Sequence, residues 1–163
     1  MDTRRGKEDY YLDIADAVLN RSTCMRRKYG AIIVRNDEIL STGYNGAPRG
    51  RRNCTDLGVC MRESLGIPSG QRYELCRSVH AEANAIISAA RRDMLGGTLY
   101  LVGRDAKTHE LLEETMPCSM CKRLIINAGL TQVVVRTGSE SCRVIHVRDW
   151  VFGDDSLPEG AVE

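Results

Sequence analysis

At 163 residues and 18.1 kDa the chain is the size of one domain, and 42% hydrophobic with 28% charged residues is enough to bury a core, which excludes disorder throughout. Lys plus Arg (23) nearly cancels Asp plus Glu (22), a balance that argues against a protein gripping nucleic acid by wholesale phosphate neutralisation and favours a small substrate. No apolar run approaches the ~18 residues of a membrane span, and Met1 to Lys7 leads into no signal-like stretch, so a cytoplasmic protein with no membrane partner is expected.

From the N-terminus, Tyr11, Ile14, Ala15 and Val18 repeat at helical spacing and predict a first amphipathic helix closed by Asn20 to Ser22. Gly30 to Arg35 and Glu38 to Thr42 are short β-rich runs joined by Asn36-Asp37, residues that tolerate the left-handed turn of a hairpin. Residues 45–79 carry neither period and hold Gly46, Pro48, Gly50, Gly58, Gly66, Pro68 and Gly70, so a long loop is expected, of the kind that something other than packing must order. A second helical stripe, Ala83, Ile86, Ile87 and Ala90, feeds a strand at Thr98 to Val102 past Gly96-Gly97. A third, Cys121, Leu124, Ile125 and Ala128, ends at Gly129 before a strand at Thr131 to Arg136. Strand, helix, strand, helix, strand predicts right-handed crossovers with parallel pairing and an α/β/α sandwich. Arg143 to Val147 reads as a fifth strand, too close to the fourth for a parallel crossover and therefore antiparallel; residues from about 150 to 163 read as a tail, whose acidic, Gly/Pro-marked part from Asp154 is expected to fray.

Seven cysteines, an odd number, argue against a disulfide framework and leave metal ligands or a reactive thiol. Pro117-Cys-Ser-Met-Cys121 puts two thiols three residues apart at the start of the third helix, where amide groups and the helix dipole favour thiolates. His80-Ala-Glu82 opens the second helix, and the N-terminal turns of both can meet at one edge of the sheet. One imidazole and two thiolates leave a fourth position for water, the pattern of a catalytic zinc, with a carboxylate alongside to move a proton. Cys-x-x-Cys alone is as often a redox pair or half a structural site, but both motifs together should arise by chance only on the order of once in several hundred chains of this composition.

With these residues the chain resembles the cytidine deaminase superfamily, whose zinc signature is H-x-E with P-C-x-x-C. Within it the chain is similar to the deoxycytidylate (dCMP) deaminases through Cys24-Met-Arg-Arg-Lys-Tyr-Gly-Ala-Ile-Ile-Val34, Ser41-Thr-Gly-Tyr-Asn-Gly-Ala-Pro48 and Ser78-Val-His-Ala-Glu-Ala-Asn-Ala-Ile86, over about residues 8–136. The resemblance implies one deaminase domain over residues 1–163, a three-layer α/β/α sandwich on a five-stranded mixed sheet. It implies hydrolytic deamination of dCMP to dUMP and ammonia, which supplies thymidylate synthesis. His80, Cys118 and Cys121 would bind a catalytic zinc, and Glu82 would be the proton shuttle. Asn45 would hydrogen-bond the sugar, its plainer reading being a turn residue before Gly46; Arg26 would receive the phosphate, with Arg27, Arg49, Arg51 and Arg52 in reserve or simply solvated.

Cys24 and Cys54 match positions where some relatives hold a second, structural zinc, and Cys60 with Cys76 would complete a thiolate set of four that could order the 45–79 loop; the alternative is four unrelated thiols. Cys142 reads as structural, His109 as a loop residue and His146 as a strand residue. Several relatives have a helix between the last two strands and an aromatic residue just after the fourth; Arg136-Thr-Gly-Ser139 lacks the aromatic, a departure that bears on phosphate recognition. Homo-oligomers and dCTP or dTTP effectors acting at the Gly-Tyr-Asn-Gly loop are further implications. Other readings are a superfamily enzyme acting on a nucleoside, a free base or a tRNA adenosine, a non-catalytic zinc-binding module, and a thiol redox protein using only Cys118 and Cys121.

Overall fold

Strand alternation sets the layering. In the computed structural model, which describes residues 2–158, five strands form one sheet in the order β2-β1-β3-β4-β5. They are β1 (Arg27–Arg35), β2 (Glu38–Tyr44), β3 (Thr98–Asp105), β4 (Gln132–Arg136) and β5 (Cys142–His146). Ala31 and Ile33, Leu99 and Leu101, Val133 and Val135 face one core; Ile32 and Val34, Tyr100 and Val102, and Val134 face the other. Helix α1 (Lys7–Leu19) covers the second face with Tyr11, Leu12, Ala15 and Leu19. The first face is covered by α4 (Ala81–Ile87), the short α5 (Arg91–Met94), α6 (Ser119–Ala128) and α7 (Val147–Phe152). The architecture is the expected three-layer sandwich on a mixed sheet.

The hairpin forms as predicted, with Asn36 and Asp37 both at positive φ (51° and 62°). Strands β3 and β4 pair in parallel across the α6 crossover, and β5 returns antiparallel to β4. The expectation of parallel pairing on both sides of β3 is corrected. β3 pairs antiparallel with β1, which lies between it and β2, so the crossover through α4 skips a strand. The cause is burial: Ala31 to Val34 are buried in succession and need cover on both faces, whereas β2 alternates and is half exposed, as an edge strand should be.

Three other expectations change. The stripe on α4 is rotated: Ala81 and Ala85 face the core and Ile87 is 71% exposed. A Cβ on Gly43 would collide with the Ala81 carbonyl and the Ala85 amide, so the bare glycine lets α4 lie directly on β2. Ser41 Oγ donates to the Ala85 carbonyl at 2.7 Å and Asn84 Nδ2 to the Tyr44 carbonyl at 2.8 Å, strapping the helix there. Residues 45–79 are not structureless: they contain α2 (Cys54–Leu57), α3 (Met61–Ser64) and a 3₁₀ turn (Tyr73–Leu75). Val147 begins α7 rather than ending β5, so the chain is helical to Phe152; of the tail expected to fray, residues 159–163 lie outside the described residues.

Arg136, at the end of β4 and 5% exposed, donates to Asp9 and Asp13 and fixes α1 over the sheet. Among the described residues no helix is long and apolar enough to cross a membrane. The same close approach recurs at Gly30, where a Cβ would strike the Ala15 carbonyl of α1. Gly30→Ala and Gly43→Ala are each expected to lower unfolding free energy in urea by about 1–3 kcal/mol through overpacking. Gly6→Ala, whose Cβ would meet nothing nearer than 3.9 Å, should stay within about 0.5 kcal/mol.

Candidate metal centre and adjoining cavity

His80 is the N-cap of α4 and Cys118 the N-cap of α6, both in extended backbone conformation, and Cys121 sits one turn into α6. The packing of α4 against α6 brings these starts together. His80 Nδ1 lies 3.4 Å from the Sγ of Cys118 and 3.4 Å from that of Cys121, and all three donor atoms fall within 4.8 Å of one another. Tetrahedral zinc with Zn–S near 2.3 Å and Zn–N near 2.0–2.1 Å separates nitrogen and sulfur by about 3.5 Å, so the donor set fits that ion in kind and in spacing.

The sulfurs are electrostatically unequal. A hydrogen bond from the Cys121 thiol, reinforced by His80, lowers Cys118 to about 4, and the same bond pushes Cys121 upward. The bond to Cys118 raises His80, opposed by its burial and by the charge of Arg62. Glu82, 5% exposed, lies beside Cys121 and His80; burial raises its carboxyl above the ordinary range, while its own backbone N–H and the His80 charge pull the other way. A carboxyl raised in this way holds a proton more readily than an exposed one, which suits a group that must both take and return one.

His80, Glu82 and Cys118 open onto a cavity of about 110 Å³. Asn45 and Arg26 reach its wall, as do Cys24, Cys60 and Cys76. Asn45 is buried and well anchored: its Oδ1 accepts from Ser22 Oγ (2.5 Å) and Tyr29 N (2.9 Å), and its Nδ2 donates to the Arg27 carbonyl (2.8 Å). Arg26 Nε pairs with Glu63 at 3.0 Å. Of the reserve arginines Arg27 lines the cavity, whereas Arg49, Arg51 and Arg52 are exposed and do not.

Cys54 is buried next to the cavity; burial pushes its thiol up, and Cys24, Cys76 and Cys60 act on it in the same sense. The Arg26 amide points at Cys24 Sγ (3.5 Å) and the Ser78 amide at Cys76 Sγ (3.4 Å), contacts that stabilise thiolates. Cys142 is exposed on edge strand β5 and is part of neither the metal centre nor the cavity wall. His109 is in a loop at positive φ and His146 closes β5, as expected.

The sequence reading missed Arg62 and Tyr73. Arg62 is 7% exposed, with its guanidinium 4.5 Å above the Tyr73 ring, and Tyr73 stands edge-on to His80 at 5.0 Å. One signal was present: Cys-Met-Arg occurs twice, at residues 24–26 and 60–62, and both copies reach the cavity wall.

A mixed α/β sheet that presents one imidazole, two thiols and a buried carboxyl at two adjoining helix starts defines a zinc-dependent deaminase architecture. The family model described as the cytidine and deoxycytidylate deaminase zinc-binding region matches residues 5–137, and the chain belongs to that family. It is 39% identical over 132 residues to the deoxycytidylate deaminase of Mycobacterium phage D29, covering 78% of this chain and 91% of that one. It is 35% identical over 130 residues to the deoxycytidylate deaminase of Schizosaccharomyces pombe, covering 80% of this chain but only 37% of the longer fungal protein. Among solved structures it is similar to the dCMP deaminase of cyanophage S-TIM5 in complex with dCMP and dUMP, with a TM-score of 0.56, 26% identity, and coverage of 82% and 84% of the two chains.

Glu82 has a raised folded-state pKa, so the stability it contributes is complete below its unfolded value of about 4.3 and is lost as pH rises through the folded value. In protein stripped of metal by a chelator, Glu82→Gln is therefore expected to be more stable than the parent at pH 7 and equal to it near pH 4. Urea unfolding at the two pH values checks this; a difference that grows toward acid would refute it.

Proposed function

We propose that this chain deaminates dCMP to dUMP and ammonia by hydrolysis. The observation that carries the reading is the meeting of His80, Cys118 and Cys121 within ligand distance, with the buried Glu82 beside them and a cavity lined by arginines in front. The names of the phage and fungal relatives and the nucleotides bound by the cyanophage enzyme support it.

His80, Cys118 and Cys121 would hold the zinc, which lowers the pKa of a bound water toward about 7 and so makes a nucleophile available at neutral pH. Glu82 would carry the protons, one from the attacking water to N3 of the cytosine ring and a second, taken from the hydroxyl formed at C4, to the departing amine as the C4–N bond breaks and the C4 carbonyl forms, work that contributes typically ~10²–10⁴-fold. Asn45 commits one amide N–H to the Arg27 carbonyl and offers the other to a sugar hydroxyl. Arg26 and Arg27 place positive charge on the wall, suited to a nucleotide phosphate.

Cys24, Cys54, Cys60 and Cys76 would take a second, structural zinc. The influence of Cys24, Cys76 and Cys60 on the Cys54 thiol and the two amide-to-sulfur contacts favour this, and binding would have to draw the four sulfurs together, since among the described residues only His80, Cys118 and Cys121 already lie within ligand distance. A chain that uses six of its seven cysteines as metal thiolates suits a reducing compartment such as the cytoplasm. Self-association is supported by the apolar side chains left outside on the α4 and α7 layer, Ile87 and Phe152, which are 71% and 87% exposed. If dCTP and dTTP act as effectors at the Gly43 to Gly46 loop, the two hydrogen bonds between Gly46 and Val79 (3.2 and 2.7 Å) connect that loop to the residue before His80.

Three measurements test this reading. Turnover of dCMP should exceed that of deoxycytidine and cytosine, and a clear preference for an unphosphorylated substrate would overturn it. Glu82→Ala should keep its zinc and lose deamination, an outcome that a non-catalytic zinc module or a thiol redox protein would not give. Metal analysis should find about two zincs per chain, falling to about one in Cys54→Ser with a lower melting temperature; a parent with one zinc refutes the four-thiolate site.

A further inference from the structure

Arg62 is the most buried cation on the cavity wall among the described residues. A guanidinium cannot shed its charge, and taking it out of water costs several kcal/mol unless an anion compensates. Arg62 is 7% exposed, yet it makes no ion pair among the described residues. Its contacts are neutral: Nε donates to the Gln71 carbonyl (3.0 Å), Nη2 donates to the Pro68 carbonyl (3.0 Å), and the plane rests over Tyr73. These three contacts fix the fork. The remaining nitrogen, Nη1, has no hydrogen-bond partner among the described residues, and the side chain lines the cavity that holds His80 and Glu82.

The other charges around the cavity are already engaged. Arg26 is paired with Glu63, and Arg27 sits close enough to Tyr29 for its charge to act on the Tyr29 hydroxyl. Among the described residues Glu82 is the single carboxylate on the wall. The cavity therefore carries surplus positive charge inside a protein that is almost neutral overall, with one arginine buried, oriented and uncompensated.

We propose that Arg62 is the specificity-determining residue that receives the 5′-phosphate of the substrate, with Arg26 next to it as the more exposed second cation. The assignment rests on the proposed nucleotide substrate and deepens it. The phosphate would supply the charge that Arg62 lacks, and its oxygens match the planar donor edge. Tyr73, held between Arg62 and His80, would set the spacing from phosphate receptor to metal centre.

The test compares dCMP with deoxycytidine in the zinc-loaded parent, Arg62→Lys and Arg62→Gln, with zinc content and melting temperature recorded for each. Arg62→Gln is expected to lower kcat/KM for dCMP by about 10–150-fold, the loss of one charge-assisted hydrogen bond. Arg62→Lys should fall in between, and deoxycytidine turnover should change less than about threefold in both. Binding of the product dUMP by calorimetry should weaken in step, with deoxyuridine unaffected. If both substrates lose rate equally, or if the variants keep the preference for dCMP, Arg62 is only a staple of the 62–71 loop and the proposal is overturned while the substrate reading stands. A parent that shows no preference for dCMP overturns the substrate reading and the phosphate role together.

Discussion

One nitrogen and two sulfurs, separated by 38 and 41 residues along the chain, must come within 3.4 Å, and the rest of the fold is arranged around that requirement. Neither helix start could do this alone. Helix α4 has seven residues, well under the length at which an isolated helix holds in water. It exists because Gly43 lets it touch the strand, Ala81 and Ala85 fill the contact, and the Ser41 and Asn84 bonds tie its middle turn to β2. Helix α6 is longer and more self-sufficient, stopped by Gly129 in the left-handed conformation, with Ile125 and Ala128 in the core. Precision at the metal centre therefore comes from the shorter helix being clamped.

The opposite wall of the cavity obeys a different rule. The 45–79 segment contributes buried Cys54 and Arg62 but no residue to either hydrophobic cluster, and its three helical turns are only three or four residues long. Its order comes from polar contacts: the Arg62 bonds to Pro68 and Gln71 and the Asn53–Asp56 capping box. Such a wall takes its stability from whatever binds it, because a ligand that favours only the folded form adds its binding free energy to folding. The sheet side is held by the two hydrophobic clusters, and the loop side by polar contacts that a ligand would add to.

That division also explains what could be read in advance. Wherever a local rule governs, the sequence was legible: Asn36-Asp37 for the hairpin, Gly129 for the end of α6, Pro117-Cys-Ser-Met-Cys121 and His80-Ala-Glu82 for the metal centre. The position of β1 was not, because period alone does not rank strands; the run Ala31 to Val34 was the available signal for a strand buried on both faces. The face of α4 was misjudged for a related reason. Hydrophobicity favours Ile86 and Ile87, but steric access at a bare glycine selected Ala81 and Ala85. Arg62 was hidden because a charged residue in a Gly/Pro-rich loop reads as solvated, and only the three-dimensional closure of that loop buries it.

Burial of Glu82 shows the same economy on the chemical side. A carboxyl on the surface near neutrality is almost fully ionised and returns a proton poorly; one enclosed beside Cys121 and His80 is held nearer the balance point at which it can act in both directions. The enclosure costs stability, since the site must desolvate a group that prefers water. Metal ligation at the neighbouring side chains would change that balance: a cation beside the carboxyl favours its charged form, so an ion held by His80, Cys118 and Cys121 would also offset part of the cost of burying Glu82. Folding, metal affinity and proton transfer are then one linked equilibrium at the starts of α4 and α6, and a change in any of the three is felt by the others.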